Sequence, residues 1–171
     1  MAPAGFAVHI VHIKEDNMPR RILLTALGVS MALFALIQAV PYRAMNPPVV
    51  AGPTWDSPET EALARRACFD CHSNEVAVPW YGQVAPFAWL VRDHVDDGRA
   101  ALNFSEMHRP QEEAHEAGEE VQEGEMPPWY YVALHPDARL TSAERAELVA
   151  GLDATLGGED HGEDHGEDHD D

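Results

Sequence analysis

Basic residues are scarce in this chain of 171 residues, which has 11 lysines and arginines against 30 aspartates and glutamates. The formal net charge is −19 at pH 7 with histidine counted as neutral. A surface of this sign repels the phosphates of DNA and RNA, so we exclude nucleic acid as a partner. The same charge favours protein partners with basic surfaces.

Charge is missing altogether from residues 22–40, ILLTALGVSMALFALIQAV. At about 1.5 Å of rise per residue, a helix of this length nearly crosses the hydrocarbon core of a bilayer. Arg20 and Arg21 precede the run and only Arg43 follows it closely, so the positive-inside rule leaves residues 1–21 in the cytoplasm. We expect a single-pass transmembrane signal anchor that exports the rest of the chain. A cleaved signal peptide is the alternative.

Composition divides the remainder of the chain. The segment before Met18 fits poorly ahead of an export signal, so we expect the true start of the protein at Met18. Residues 41–56 are rich in proline and glycine, which predicts an extended tether. Residues 158–171 repeat GEDH three times and predict a disordered acidic tail. Residues 57–157 are left for one folded domain.

Helix signals dominate this domain, and no set of strands is evident. Ser57, Pro58 and Glu59 supply an N-cap, a first-turn proline and an early acid, and the helix that follows ends at Cys68. The stretch FAWLVRDHVDDGRAAL keeps apolar residues at the period of a helix.

Two further segments complete the domain. Residues 141–144 form a capping box ahead of a leucine stripe. Residues 110–124 are polar nearly all round, which predicts at most a solvated helix ended by Gly124. We therefore expect an all-α domain of three or four short helices. Its core is thin for its length, which indicates that a large buried cofactor helps to hold it together.

Cysteine occurs only at Cys68 and Cys71, in ACFDCHSNE. A lone exported pair could be a disulfide. A zinc site would need a second ligand pair at suitable spacing, and a thioredoxin-like pair would need a βαβ setting; neither is present. His72 completes C-x-x-C-H, the attachment pattern of c-type haem, in which two thiols add to the porphyrin and the histidine becomes the proximal iron ligand. We expect one haem c, held in this way.

The sixth iron ligand is less defined. Met126, in EGEMPPWYY, is the leading candidate, because a thioether is a soft ligand typical of electron-carrying cytochromes. An ordinary methionine packed on Trp129 or Tyr130 fits the residues nearly as well. His94 lies on the apolar face of its predicted helix, where it could be a core residue, contact a haem propionate or bind iron. Weaker candidates are Met107, His108, His115 and His135.

Four blocks together resemble the haem-binding domain family, small membrane-anchored bacterial proteins with a single haem, related in plan to c-type cytochromes. The blocks are NPPV, ACFDCHSNE, VAPFAWLVRDHVDDGRAALNFSEM and EGEMPPWYYVALHPDARLTSAER. The resemblance covers roughly residues 46–156. It implies covalent haem on Cys68 and Cys71, His72 as proximal ligand and Met126 as distal ligand. It also implies a bacterial inner-membrane protein with its C-terminal domain in the periplasm.

Two functions of different classes follow. The first is an electron carrier that exchanges single electrons with redox proteins, steered by an acidic face that includes Glu112, Glu113, Glu119 and Glu120. The second is a haem sensor or peroxidase-like enzyme with a labile sixth ligand and His94 as an acid–base group. Weak metal binding by the tail is a third hypothesis. We favour the electron carrier over an enzyme; its oligomeric state stays open.

Overall fold

The computed structural model describes residues 18–111 and 113–157. The chain divides into two compact units between Val40 and Pro41, and each is considered by itself. The predictions for residues 1–17 and 158–171, and the assignment of Glu112 to an acidic face, lie outside the described residues. The described α-helices are α1 (Met18–Ile37), α2 (Pro58–Ala67), α3 (Phe69–His72), α4 (Phe87–Ala101), α5 (Ala117–Glu123), α6 (Trp129–Leu134) and α7 (Ser142–Leu156).

The first unit contains α1, a helix of 20 residues with no buried residue. It begins four residues before the start of the predicted span 22–40 and ends three residues before the end of that span. By length and composition α1 is able to cross a membrane. A signal sequence near the N-terminus would meet the same criteria.

The second unit is all-α, as predicted. Among the described residues there is no strand, and three short 3₁₀ helices at residues 80–83, 114–116 and 136–138 join the α-helices. The local signals that predicted α2 and α7 are present. The Ser57 side chain accepts a hydrogen bond from the Thr60 amide, and Thr141 and Glu144 form the reciprocal capping box.

The core lies where α2, α5 and α7 meet, and it extends to the cysteine segment. Leu148 and Leu152 of α7 are almost completely buried and pack against Val121 of α5. Phe69, which stands between the two cysteines, stacks on Phe104 with 5.4 Å between ring centroids. Burying an aromatic ring removes a large apolar area from water, so Phe69 fixes the cysteine segment to the hydrophobic core.

The acidic segment differs from its prediction. It was expected to be a solvated helix at most, yet α5 packs closely on α7 and buries Gly118 and Val121. One valine and one glycine among polar residues are too few to give a visible apolar stripe, although they suffice for contact along one face. The predicted stop is present: Gly124 caps α5 with φ of +87°, a conformation that glycine adopts readily.

Residues 42–51 precede the helices and run along the second unit without helix; we call them the N-terminal strap. The Tyr42 hydroxyl donates to Asp93 at 2.7 Å, and the Asn46 side chain exchanges two hydrogen bonds with the backbone of Val76. At its far end, Ala51 forms an isolated parallel bridge with Glu106. The proline- and glycine-rich segment is therefore bonded to the folded domain over most of its length.

Candidate functional site

The C-x-x-C-H motif occupies the junction of two helices. Cys68 ends α2 and precedes α3, which carries Cys71 and His72. Helix α4 crosses this turn closely at Gly98: a Cβ atom built there would lie 2.7 Å from the Cys71 carbonyl oxygen. Glycine at this position lets the two helices approach to a distance that any side chain would prevent.

His72 is held in one orientation by the segment that follows α4. Its Nδ1 lies 3.0 Å from the carbonyl oxygen of Leu102, and its own carbonyl oxygen accepts a hydrogen bond from the Phe104 amide at 2.8 Å. A carbonyl oxygen only accepts, so Nδ1 carries the hydrogen and the Nε2 lone pair is left for a metal. Burial lowers the pKa of His72, which favours the neutral, metal-binding form of the ring.

A buried polar network secures the residues next to His72. The Asn74 amide donates to the Ser105 hydroxyl at 2.9 Å, and the Asn103 side chain donates to Asn74 Oδ1 at 3.0 Å. The Asn103 Oδ1 in turn accepts from the Ser105 amide. Ser73, Asn74, Asn103 and Ser105 are all buried, and buried polar groups that satisfy one another resist rearrangement.

Met126 reaches the site through the turn that ends α5. After Gly124 the chain reverses, and the Met126 amide donates to the Glu120 carbonyl oxygen at 3.0 Å. Pro128 then precedes α6, which begins at Trp129. Met126 is half-buried and packs against the hydrophobic core, and its position is fixed by these neighbours on both sides.

The four residues singled out from the sequence line one cavity. Its volume is about 550 Å³, within the range of about 300–1,000 Å³ that ligand pockets occupy. Cys68, Cys71 and His72 come from the α2–α3 junction, and Met126 comes from the α5–α6 turn. Apolar and aromatic side chains make up much of the remaining lining.

Comparison with known families decides the class of ligand. The family model described as "Haem-binding domain" matches residues 32–154, more than half of the chain. The chain belongs to the haem-binding domain family. No curated protein and no solved structure matches it.

The cavity of this haem-binding domain suits the group that its family binds. A porphyrin needs a large apolar space, which this lining offers, and the free Nε2 lone pair of His72 would be available to its iron. The structure has Cys68 and Cys71 as free thiols. Burial raises the pKa of Cys68 to about 12 and that of Cys71 to about 11, so both are protonated at neutral pH. Among the described residues no group of three or more His, Cys, Asp or Glu is placed to hold a metal ion, which disfavours the zinc alternative.

The lining of the haem cavity is strongly acidic. Its lining includes five carboxylates and, among the described residues, neither lysine nor arginine. Like charges so arranged favour a positive charge inside the cavity. The acidic residues are Asp70, Asp97, Glu113, Glu116 and Glu120.

A chain of hydrogen bonds orders another part of the wall. Tyr131 donates to Asp70 at 2.7 Å, and Tyr131 stacks on His135 with 4.2 Å between ring centroids. His135 Nδ1 donates to the Tyr131 carbonyl oxygen, so its Nε2 accepts from the Tyr81 hydroxyl at 3.3 Å. Burial and the hydrogen bond to Asp70 raise the pKa of Tyr131 above its usual range. Tyr131 therefore stays protonated around physiological pH, and hydrogen bonds join Asp70, Tyr131, His135 and Tyr81 along this part of the wall.

Sequence reasoning placed some of these residues and missed others. His94 lines the haem cavity and stacks on Tyr130 with 5.3 Å between centroids, so the structure brings it to the same site as Met126. The sequence makes His135 only a weak candidate for an iron ligand, although it also lines the cavity. Asp70 and Tyr131 had no role in the prediction. The position of Asp70 inside the C-x-x-C motif was the available signal, whereas Tyr131 had none before the fold was known.

Proposed function

We propose that this haem-binding domain is a c-type cytochrome domain with one covalently attached haem, exported and anchored by α1, that transfers single electrons. The observation that carries the proposal is the shared cavity of Cys68, Cys71, His72 and Met126. When bound, haem supplies a one-electron iron couple. The chain's own residues would hold it, Cys68 and Cys71 through their thiols and His72 through Nε2, while the apolar lining would exclude water.

The distal ligand is assigned to Met126. Its thioether is a soft donor that favours the reduced metal, whereas the five carboxylates of the lining favour the oxidised and more positive one. The two effects would act on the reduction potential in opposite directions. The hydrogen bonds that run from Asp70 through Tyr131 and His135 to Tyr81 would limit movement of this wall when the charge in the cavity changes.

His94 supports a second candidate function. Because it lines the same cavity, it offers a titratable group beside the distal ligand of a haem sensor or peroxidase-like enzyme. In that case Met126 would be weakly held and displaced by small ligands.

The test is spectroscopic and uses the full chain produced in a host that attaches c-type haem. A pyridine haemochrome assay on the wild type and on the double variant Cys68→Ala/Cys71→Ala establishes whether attachment is covalent. Ferrous absorption spectra, with and without carbon monoxide, are then compared for wild type, Met126→Ala and His94→Ala. The two single variants are matched, since each removes one possible distal donor.

Each result has a definite meaning. If the protein is an electron carrier, the wild type and His94→Ala should have low-spin haem that does not react with carbon monoxide. Only Met126→Ala should have high-spin haem that does react. A wild type that is already high-spin would favour the sensor or enzyme. Loss of the low-spin spectrum in His94→Ala alone would assign the sixth position to His94. Absence of covalent haem from the wild type would overturn the proposal.

A further inference from the structure

Two tryptophans stand at the surface in matching positions. Trp80 and Trp129 are each 80% exposed, each follows a proline, and each begins a short helix. Each is followed by a tyrosine, which lines the haem cavity. In both pairs the rings meet edge to face, with centroids 5.9 Å apart and interplanar angles of 83° and 81°. In both Pro-Trp-Tyr segments the tyrosine thus contributes to the cavity lining, whereas the tryptophan is exposed to solvent.

Haem does not account for this exposure. Leu90, Tyr130 and Leu134 are also exposed, but they line the cavity, where a bound porphyrin would cover them. Trp80 and Trp129 are not part of the lining. Tryptophan has a large apolar surface, and leaving it in water forgoes stabilisation that burial would give.

The two tryptophans border the same cavity. Tyr81, which follows Trp80, is hydrogen-bonded to His135 just beyond the end of α6. Tyr130, which follows Trp129, stacks on His94 of α4. Phe87, at the start of α4, is 57% exposed and also lies outside the lining. We call Trp80, Phe87 and Trp129 the aromatic rim.

The charge of the cavity that the aromatic rim borders indicates the kind of partner. The cavity lining carries five carboxylates and, in the described part of the chain, no lysine or arginine. An anionic lipid surface or a nucleic acid would be repelled by this charge. A protein that surrounds an apolar patch with lysine or arginine would match both the apolar and the acidic features.

We propose that the aromatic rim is a docking surface for a basic redox protein, with Trp80 and Trp129 as its main contacts. The carboxylates attract the partner at long range, and the two indole rings are buried when it docks over the mouth of the cavity. Exposed tryptophans are frequent energetic centres of protein interfaces. This inference deepens the proposed function, since it names the surface through which electrons pass.

The test uses the haem-loaded full chain in phosphatidylcholine nanodiscs, with a lysine-rich soluble cytochrome c as probe. Affinity is measured by titration at several salt concentrations for wild type, Trp80→Ala/Trp129→Ala and Trp80→Phe/Trp129→Phe. We expect the alanine variant to bind about tenfold more weakly or worse, the phenylalanine variant to recover part of the loss, and salt to weaken binding of all three. Unchanged haem spectra will show that the site itself is intact.

A pair of charge variants tests the electrostatic component. Glu116→Gln removes a carboxylate from the cavity lining, whereas Glu147→Gln removes one from an exposed position on α7. The net charge changes equally in both. Glu116→Gln should weaken binding of the probe severalfold, and Glu147→Gln should leave it nearly unchanged. Equal effects would assign the attraction to net charge and would overturn the acidic lining as part of the docking surface.

Hydroxyl-radical footprinting of the same samples distinguishes the possible occupants. Trp80 and Trp129 should be oxidised in nanodiscs alone and protected when the probe is added, while the half-buried Trp55 should not change. Protection of both in nanodiscs without probe, but not in detergent, would assign the rim to lipid and overturn the proposal. So would protection that depends only on the concentration of the chain, which would indicate self-association.

These results separate the docking surface from the proposed function. If electron exchange with the probe is equally fast in wild type and in Trp80→Ala/Trp129→Ala, the proposed electron transfer stands and the docking surface is refuted. Binding that depends on the tryptophans, together with a high-spin wild-type haem, would leave the surface and refute the carrier.

Discussion

Replacing Gly98 with alanine tests the close approach of α4 to the C-x-x-C-H motif. The added Cβ would lie 2.7 Å from the Cys71 carbonyl oxygen and 3.0 Å from its Cβ, whereas ordinary contacts begin at 3.4 Å. Helix α4 would have to withdraw by roughly 0.7 Å, the difference between 3.4 and 2.7 Å. Neither obstructing atom lies at the end of a flexible side chain, so relief requires movement of backbone.

Two opposing effects determine the magnitude. Overpacking of this kind costs about 1–3 kcal/mol, and alanine in a helix interior gains about 1 kcal/mol over glycine. We therefore expect a net destabilisation of up to about 2 kcal/mol. Because His72 is hydrogen-bonded to Leu102 at the end of α4, we also expect a disturbance of its orientation and of the iron ligation proposed for it.

Urea unfolding of the haem-loaded full chain in detergent, followed at the Soret band, measures this change. The matched control is Gly151→Ala on α7, whose Cβ would overlap the buried Thr60 side chain instead. It should also lower the free energy of unfolding, but without altering the haem spectrum of the folded protein. The reasoning would be refuted if Gly98→Ala were more stable than wild type by about 1 kcal/mol. That is the gain expected when alanine replaces a helix glycine that has open space around it.

Three further predictions concern stability. The capping-box hydrogen bond from the backbone, with the ion pair to Arg66, lowers the pKa of Glu144 to about 2 from its ordinary 4.5. Its contribution is therefore complete above about pH 4.5 and lost as the pH falls towards 2, so Glu144→Gln should flatten the acid limb of a plot of melting temperature against pH. Leu148→Ala should lower the free energy of unfolding by about 2–5 kcal/mol in urea titrations, since Leu148 is fully buried. Arg99→Lys should cost about 1–3 kcal/mol and speed amide exchange in the N-terminal strap, because Arg99 donates both to Ser73 and to the strap.

Each of these has a control on the chain. Glu147→Gln, on the same helix as Glu144 but outside the capping box, should leave the acid limb unchanged. Leu156→Ala, at a half-buried position, should cost less than Leu148→Ala; equal losses would contradict the assigned core. Amide exchange that quickens throughout the domain in Arg99→Lys, rather than in the strap, would contradict a local role for Arg99.

Local chemical signals allowed much of the fold to be predicted. Ser57 with Pro58, and Thr141 with Glu144, mark helix starts through contacts within one turn, so they are legible without knowledge of the fold. The class of the domain and the position of α4 followed from the helical period of the apolar residues. Gly124 ended α5 where predicted, because a left-handed backbone there depends mainly on the residue itself.

Contacts between distant parts of the chain could not be predicted in this way. Val121 is one apolar residue in an acidic run, and its burial becomes evident only when α7 is placed beside it. Tyr131 and Asp70 are 61 positions apart, and nothing in either segment indicates that they meet. The C-x-x-C-H motif could be recognised in the sequence because the chemistry proposed for it requires fixed spacing, whereas the surrounding wall can be built from any residues that the fold brings together.

The N-terminal strap has a consequence for how the family can vary. Its composition is that of a spacer, and a spacer tolerates insertions and deletions because only its length matters. Between Tyr42 and Ala51, however, successive residues are paired with particular partners, so one residue gained or lost would misalign every bond beyond it. Length differences between relatives should accordingly accumulate before Tyr42, and a soluble fragment of the domain should begin there instead of at the first helix.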